Sequence, residues 1–103
     1  MEQYAETLRL SPNHAEAHYN LGYALRMKGR VDEAADHLRQ ALRLKPDWPN
    51  AQAALASVIA GSPGSTPDDL QYALSLAERA VAATDGNNPA FVQILADVRR
   101  ARR

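Results

Sequence analysis

The sequence has no cysteine, a single tryptophan and a single phenylalanine among its 103 residues. Without cysteine there is no disulfide framework, thiol chemistry or thiolate zinc site. No apolar run approaches the ~18 residues of a membrane helix, and the opening MEQYAETLRL lacks the apolar centre of a signal peptide. Catalytic signatures are missing as well: there is no P-loop, no G-x-S-x-G and no Gly-rich strand-to-helix turn. Ser57, Ser62, Ser65 and Ser75 are scattered without a histidine to activate them. A non-enzymatic protein is expected, with no catalytic residue, cofactor or metal site. These absences fit a cytoplasmic protein or a soluble segment of a larger one.

What is present is ordinary globular composition, with 46% hydrophobic and 23% charged residues, which argues against disorder. The charge is balanced in total but not in place. Residues 1–98 carry eight Lys/Arg against twelve Asp/Glu, a net −4, and Arg99, Arg100, Arg102 and Arg103 restore neutrality. Nucleic-acid-binding domains spread basic residues over a face, so an acidic body with a short basic tail is a poor match. Arginines in a last helical turn complement the negative helix end. Weak, salt-sensitive tethering of nucleic acid by this tail is the lesser reading.

The chain repeats itself. Leu10-Ser11-Pro12-Asn13-His14-Ala15 returns as Leu44-Lys45-Pro46-Asp47-Trp48-Pro49, which sets Pro12 and Pro46 34 residues apart. Two helix-length segments lie between them, separated by Lys28-Gly29-Arg30. Leu21 and Leu25 are one turn apart in the first, while Ala34, Leu38, Ala41 and Leu42 mark one face of the second. A repeat of this length and pattern resembles the tetratricopeptide family. Where the family pattern has Trp, Leu, Gly, Tyr, Ala, Phe or Tyr, Ala and Pro, this chain has His18, Leu21, Gly22, Leu25, Ala34, Leu38, Ala41 and Pro46. Leu25 and Leu38 are apolar replacements, and His18 is the one true departure.

The resemblance implies an all-α, right-handed superhelical solenoid of about six antiparallel helices. Their expected positions are near residues 1–10, 13–28, 31–44, 48–60, 67–84 and 89–102. As a single domain over 1–103, it divides into a half repeat (1–14, second helix only), a full repeat (15–48), an enlarged repeat (49–88, with a loop at 61–66) and a half repeat (89–103). Gly61-Ser62-Pro63-Gly64-Ser65 supplies the loop chemistry, and Thr66-Pro67-Asp68-Asp69 and Asn88-Pro89 read as helix starts. The extra residue in Asp85-Gly86-Asn87-Asn88 leaves the register of the last helix open by one. Half repeats at both ends suit a segment of a longer array, or a protein whose ends pair with something else.

Helix positions that face the peptide-holding groove in this family are occupied here by Glu16, Tyr19, Tyr23, Arg26 and Met27, then Asn50, Ala53 and Ser57, then Gln93 and Asp97. Tyr19 and Tyr23 are the expected aromatic anchors, since aromatic faces offer large contact area with few rotors to freeze. A shift of one residue in the last helix would substitute Val92 and Ala96. Family members that clamp chaperone carboxylates place Lys, Asn and Arg at such positions. Tyr19, Tyr23, Ser57, Gln93 and Asp97 provide no cation, so that ligand is not expected. Asn20-Leu21-Gly22 looks like the repeats of O-linked N-acetylglucosamine transferase, but Asn20 is followed by Ala54 where those arrays continue an asparagine ladder. The enlarged repeat looks instead like the terminal repeats of bacterial multi-repeat proteins.

His14 and His18, one turn apart, form a conceivable metal chelate. Packing of His18 and a turn position for His14 explain both, and no metal is expected. The expected role is protein–protein interaction: a scaffold or adaptor holding a protein or peptide segment of unknown identity. The alternative is a structural unit that oligomerises through its incomplete terminal repeats.

Overall fold

A computed structural model of the chain describes residues 14–102. They form five α-helices: α1 (Ala15–Met27), α2 (Val31–Leu44), α3 (Pro49–Gly61), α4 (Pro67–Ala83) and α5 (Pro89–Ala101). The described residues contain no strand, so the fold is all-α, a helical repeat in its pattern of paired helices. The helix expected near residues 1–10 lies outside the described residues. The other five fall within two residues of their expected bounds. Two compact units divide between Asp47 and Trp48.

In the first unit α1 and α2 pack against one another through a three-residue turn. The turn is a Schellman closure. Gly29 sits at φ 80°, its N–H donates to the Arg26 carbonyl at 3.0 Å, and the Arg30 N–H donates to the Leu25 carbonyl at 2.9 Å. A left-handed residue of this kind favours glycine because it has no Cβ to clash. Leu21, Leu25 and Ala34 form a buried cluster, and Leu38 and Ala41 on α2 are fully buried. Gly22 lies under Leu38: a Cβ there would stand 2.9 Å from Leu38 Cγ and 3.1 Å from the Ala34 carbonyl oxygen.

In the second unit α3 packs against both α4 and α5, and α4 against α5. Eight residues of α3 are buried, four of them alanines. Ala53, Ala80 and Phe91 form a cluster flanked by Val81 and Ile94, while Leu55 and Val98 are the unit's largest fully buried side chains. Proline occupies the first turn of all three helices, where its missing N–H costs nothing and its fixed φ suits the helix. Thr66 and Asp69 form a reciprocal capping box: Thr66 Oγ1 accepts from the Asp69 N–H at 3.1 Å, and Asp69 Oδ2 accepts from the Thr66 N–H at 3.0 Å. Asn88 Oδ1 accepts from the Phe91 N–H at 3.2 Å at the start of α5.

The enlarged loop closes α3 from the other end. Ser62 Oγ donates to the Val58 carbonyl and Ser65 Oγ to the Ile59 carbonyl, each at 2.7 Å. These are carbonyls of a last helical turn, which the helix itself leaves without partners. A second Schellman closure ends α4, where the Gly86 N–H donates to the Val81 carbonyl at 3.0 Å and the Asp85 N–H to the Ala82 carbonyl at 3.1 Å. Here the left-handed residue before Gly86 is Asp85, at φ 52°.

These contacts make two predictions for thermal or denaturant unfolding. Gly22→Ala gains helix propensity but overpacks Leu38, and we expect a net loss of about 1–2 kcal/mol. Gly61→Ala, whose Cβ meets nothing within 4 Å, is the control and is expected to be neutral or slightly stabilising. Asp85→Gly relieves a left-handed non-glycine residue and is expected to gain up to about 1 kcal/mol. A stabilising Gly22→Ala would contradict the close approach of α1 and α2.

Candidate functional site

The buried face of α1 consists of Ala17, His18, Leu21, Gly22 and Leu25. Because helix positions four apart share a face, Tyr19, Tyr23 and Met27 form a second stripe. Tyr19 is half-buried, Tyr23 is 46% exposed and Met27 is 71% exposed. The two tyrosine rings have centroids 6.4 Å apart and planes tilted by 39°, within the range of a stabilising aromatic pair. Glu16 is exposed and Arg26 half-buried, so charges border the stripe. Burial, and then the Tyr23 phenol, push the Tyr19 pKa up, while Arg26 acts in the opposite sense.

In the second unit the expected residues separate by environment. Asn50 is exposed and Ser57 half-buried. Ala53 is a correction: it is 2% exposed and packs with Ala80 and Phe91, so it serves the unit's interior and offers no open surface. Gln93 and Asp97 face one another, with Gln93 Nε2 donating to Asp97 Oδ1 at 3.0 Å. Arg100 also pairs with Asp97, and this carboxylate is thus held by two neighbours on α5. Val92, the alternative in the shifted register, is 43% exposed.

An open cleft of about 280 Å³ lies between the start of α4 and the end of α5, lined by Ser65, Pro67, Leu70, Ala101 and Arg102. Its hydroxyl is already donated to Ile59, which leaves Arg102 as the one charged group of the lining. Among the described residues, no three of His, Asp and Glu are grouped to hold a metal ion.

The relationship that the sequence reading missed involves His18. Its partner is His37 on α2, with the two Nδ1 atoms 3.1 Å apart. His14 instead caps α1, its Nδ1 accepting from the Ala17 N–H at 3.1 Å. A signal was present: His37 falls three residues after Ala34 and four before Ala41, on the buried stripe of α2.

The electrostatics of Tyr19 are testable. In Tyr23→Phe, which removes one of the two causes holding its pKa up, the Tyr19 phenol is expected to ionise at lower pH than in the wild type. It should still ionise above about 10, the ordinary tyrosine value, because burial is the larger cause. Ultraviolet difference titration of tyrosinate, with Tyr19→Phe to assign the signal, measures this. Ionisation at or below the ordinary value would contradict the burial of Tyr19.

Residues 2–49 match the family model described as tetratricopeptide repeat, a stretch that contains both described helices of the first unit. No curated protein sequence matches the chain significantly. Repeats of this family generally mediate protein–protein interaction. Over residues 2–49, then, what the chain is similar to is a tetratricopeptide repeat.

Proposed function

We propose that the chain is a tetratricopeptide-repeat module, a non-catalytic scaffold that binds a segment of a partner protein on the outward face of α1. The observation that carries this reading is the stripe of Tyr19, Tyr23 and Met27. It combines a tilted aromatic pair with two of the most exposed large hydrophobic side chains, on a helix whose opposite face is buried. Tyrosine and methionine suit such a face. Tyrosine contributes area at low entropic cost, and methionine adapts its shape to what it meets. The partner segment should therefore present apolar side chains, with polar groups toward Glu16 and Arg26.

Assembly through terminal repeats has less support in the side chains of α5. Its exposed surface carries Pro89, Ala90 and Val92 toward its start and Gln93, Arg99 and Arg100 further along, with Gln93 and Arg100 both bound to Asp97. The charged, internally paired part of this surface is poorly suited to stacking on a copy of itself. That pairing also draws one arginine away from a nucleic-acid role.

The test is selection of a displayed random-peptide library on the wild-type protein, followed by affinity measurement on Tyr23→Ala/Met27→Ala. Both side chains are exposed, so circular dichroism should show an unchanged fold. We expect selected peptides to share apolar residues and to lose at least about tenfold in affinity on the variant, roughly the cost of truncating one good anchor. Peptides that bind both proteins equally would remove α1 from the interaction. Wild-type self-association in sedimentation that survives in the variant would favour assembly.

A further inference from the structure

All three histidines of the chain lie in the first unit, and each commits its Nδ1 atom to holding α1. His14 accepts from the Ala17 N–H at the start of the helix. His18 and His37 meet in its middle, across the α1–α2 interface, with Nδ1 to Nδ1 3.1 Å and ring centroids 5.3 Å apart. The centroids are farther apart than the nitrogens by about two ring radii, so the two nitrogens lie between the rings and point at each other. Nitrogens sharing a metal ion would instead converge on a point off that line. The geometry is that of an N–H···N hydrogen bond: one ring carries its hydrogen on Nδ1, and the other presents a lone pair there.

We propose that His18 and His37 form a proton-sensitive latch between α1 and α2, closed while at most one ring is an imidazolium and open when both are. With both rings neutral, one donates and one accepts. A first added proton leaves the arrangement intact, because an imidazolium Nδ1–H still donates to a neutral partner, and a charged donor strengthens the bond. A second proton puts hydrogens on both Nδ1 atoms and like charges in contact. That doubly charged contact is the state the geometry disfavours.

The surroundings agree. His18 is 9% exposed and His37 half-buried. Burial, and then His18, lower the His37 pKa, while Asp36 and Glu33 on its own helix act in the opposite sense without prevailing. Among the described residues these are the titratable groups that act on His37, from α1 and from α2. The Glu33 carboxylate is engaged by Arg30 at 2.7 and 2.8 Å, which moderates its pull on a proton. In the unfolded chain each ring takes up its proton near the ordinary value of about 6.5. Below that pH the unfolded state binds more protons than the folded one. Hairpin stability is therefore full above about 6.5 and is lost as pH falls through the lowered His37 value.

The latch stands apart from the proposed binding function, since its readout is the opening of α1 rather than the capture of a partner. Amide hydrogen exchange, corrected for the intrinsic pH dependence, reads that opening directly. Between pH 7.5 and 5.5 we expect protection of α1 amides to fall about tenfold, while α4 amides keep theirs. His37→Gln, which cannot take up the proton, should abolish most of the fall. His14→Ser, which keeps a capping oxygen, should retain it. A fall that persists in His37→Gln, or that disappears in His14→Ser, would overturn the latch. Nitrogen-15 spectra of wild-type imidazoles give a second test that needs no variant. One of His18 and His37 should be the Nδ1–H tautomer at pH 7.5, with its hydrogen shared with the other ring's Nδ1. Two Nε2–H rings at pH 7.5 would also overturn it.

Discussion

The close approach of α1 to α2 at Gly22 is the constraint on which the first unit depends. Leu38, with no exposed surface, lies where the side chain of any other residue at position 22 would begin. Small residues at such a crossing let two helix backbones come together, and the large residue of the facing helix fills the space. That contact fixes the rotation of α1 about its own axis. With Gly22 beneath Leu38, Leu21 and Leu25 turn inward, His18 comes opposite His37, and Tyr19, Tyr23 and Met27 turn away. The interior and the displayed face follow from one steric fact.

The second unit shares the first unit's mixed interior of alanines and larger side chains. Ala51, Ala56, Ala73 and Ala80 are fully buried, and Leu55, Val58, Ile59, Leu76, Phe91, Leu95 and Val98 supply the bulk. Alanine buries little apolar area per residue, and the hydrophobic contribution scales with that area. What sets the second unit apart is the density of local interactions at its helix ends. Three first-turn prolines, the Thr66–Asp69 box, the Asn88 cap, two serine hydroxyls on α3 carbonyls and the Schellman closure of α4 all limit alternatives to the helical ends. Each such feature contributes roughly 0.5–2 kcal/mol.

That distribution explains what was readable from the residues alone. Helix bounds were legible because their signals are local: Thr66-Pro67, Asn88-Pro89 and Gly29 act on the backbone within a few residues. The Gly22, Ala34 and Ala41 pattern was legible because repeat spacing records helix–helix contact. The side of a helix that stays open is a tertiary matter. Ala53 was assigned to an open face from its repeat position, yet α3 is packed by both α4 and α5, and Phe91 reaches it. The His18–His37 pair was not legible, because spacing sets His18 beside His14 on its own helix and is silent on His37. Pairing across a hairpin depends on how two helices are rotated, which no spacing within one helix reveals. The register of Gln93 and Asp97 stayed open for a similar reason, since the loop from Asp85 to Asn88 adds a residue whose effect only the folded backbone resolves.

The contrast between α1 and α2 bears on why the tyrosine stripe exists. Both helices belong to one hairpin, and each buries one face against the other. The exposed side of α2 is Asp32, Glu33, Asp36, Arg39, Gln40 and Arg43, which is what solubility and the helix dipole favour. It shows that a polar outward face is compatible with this hairpin. Single exposed apolar residues are common and need no explanation. Tyr23 and Met27 differ because they adjoin each other and Tyr19 along one line of α1, while buried Leu21 and Leu25 already satisfy the interior. Folding of the hairpin supplies no reason for apolar residues at these outward positions, and contact with a partner surface is the reason we propose.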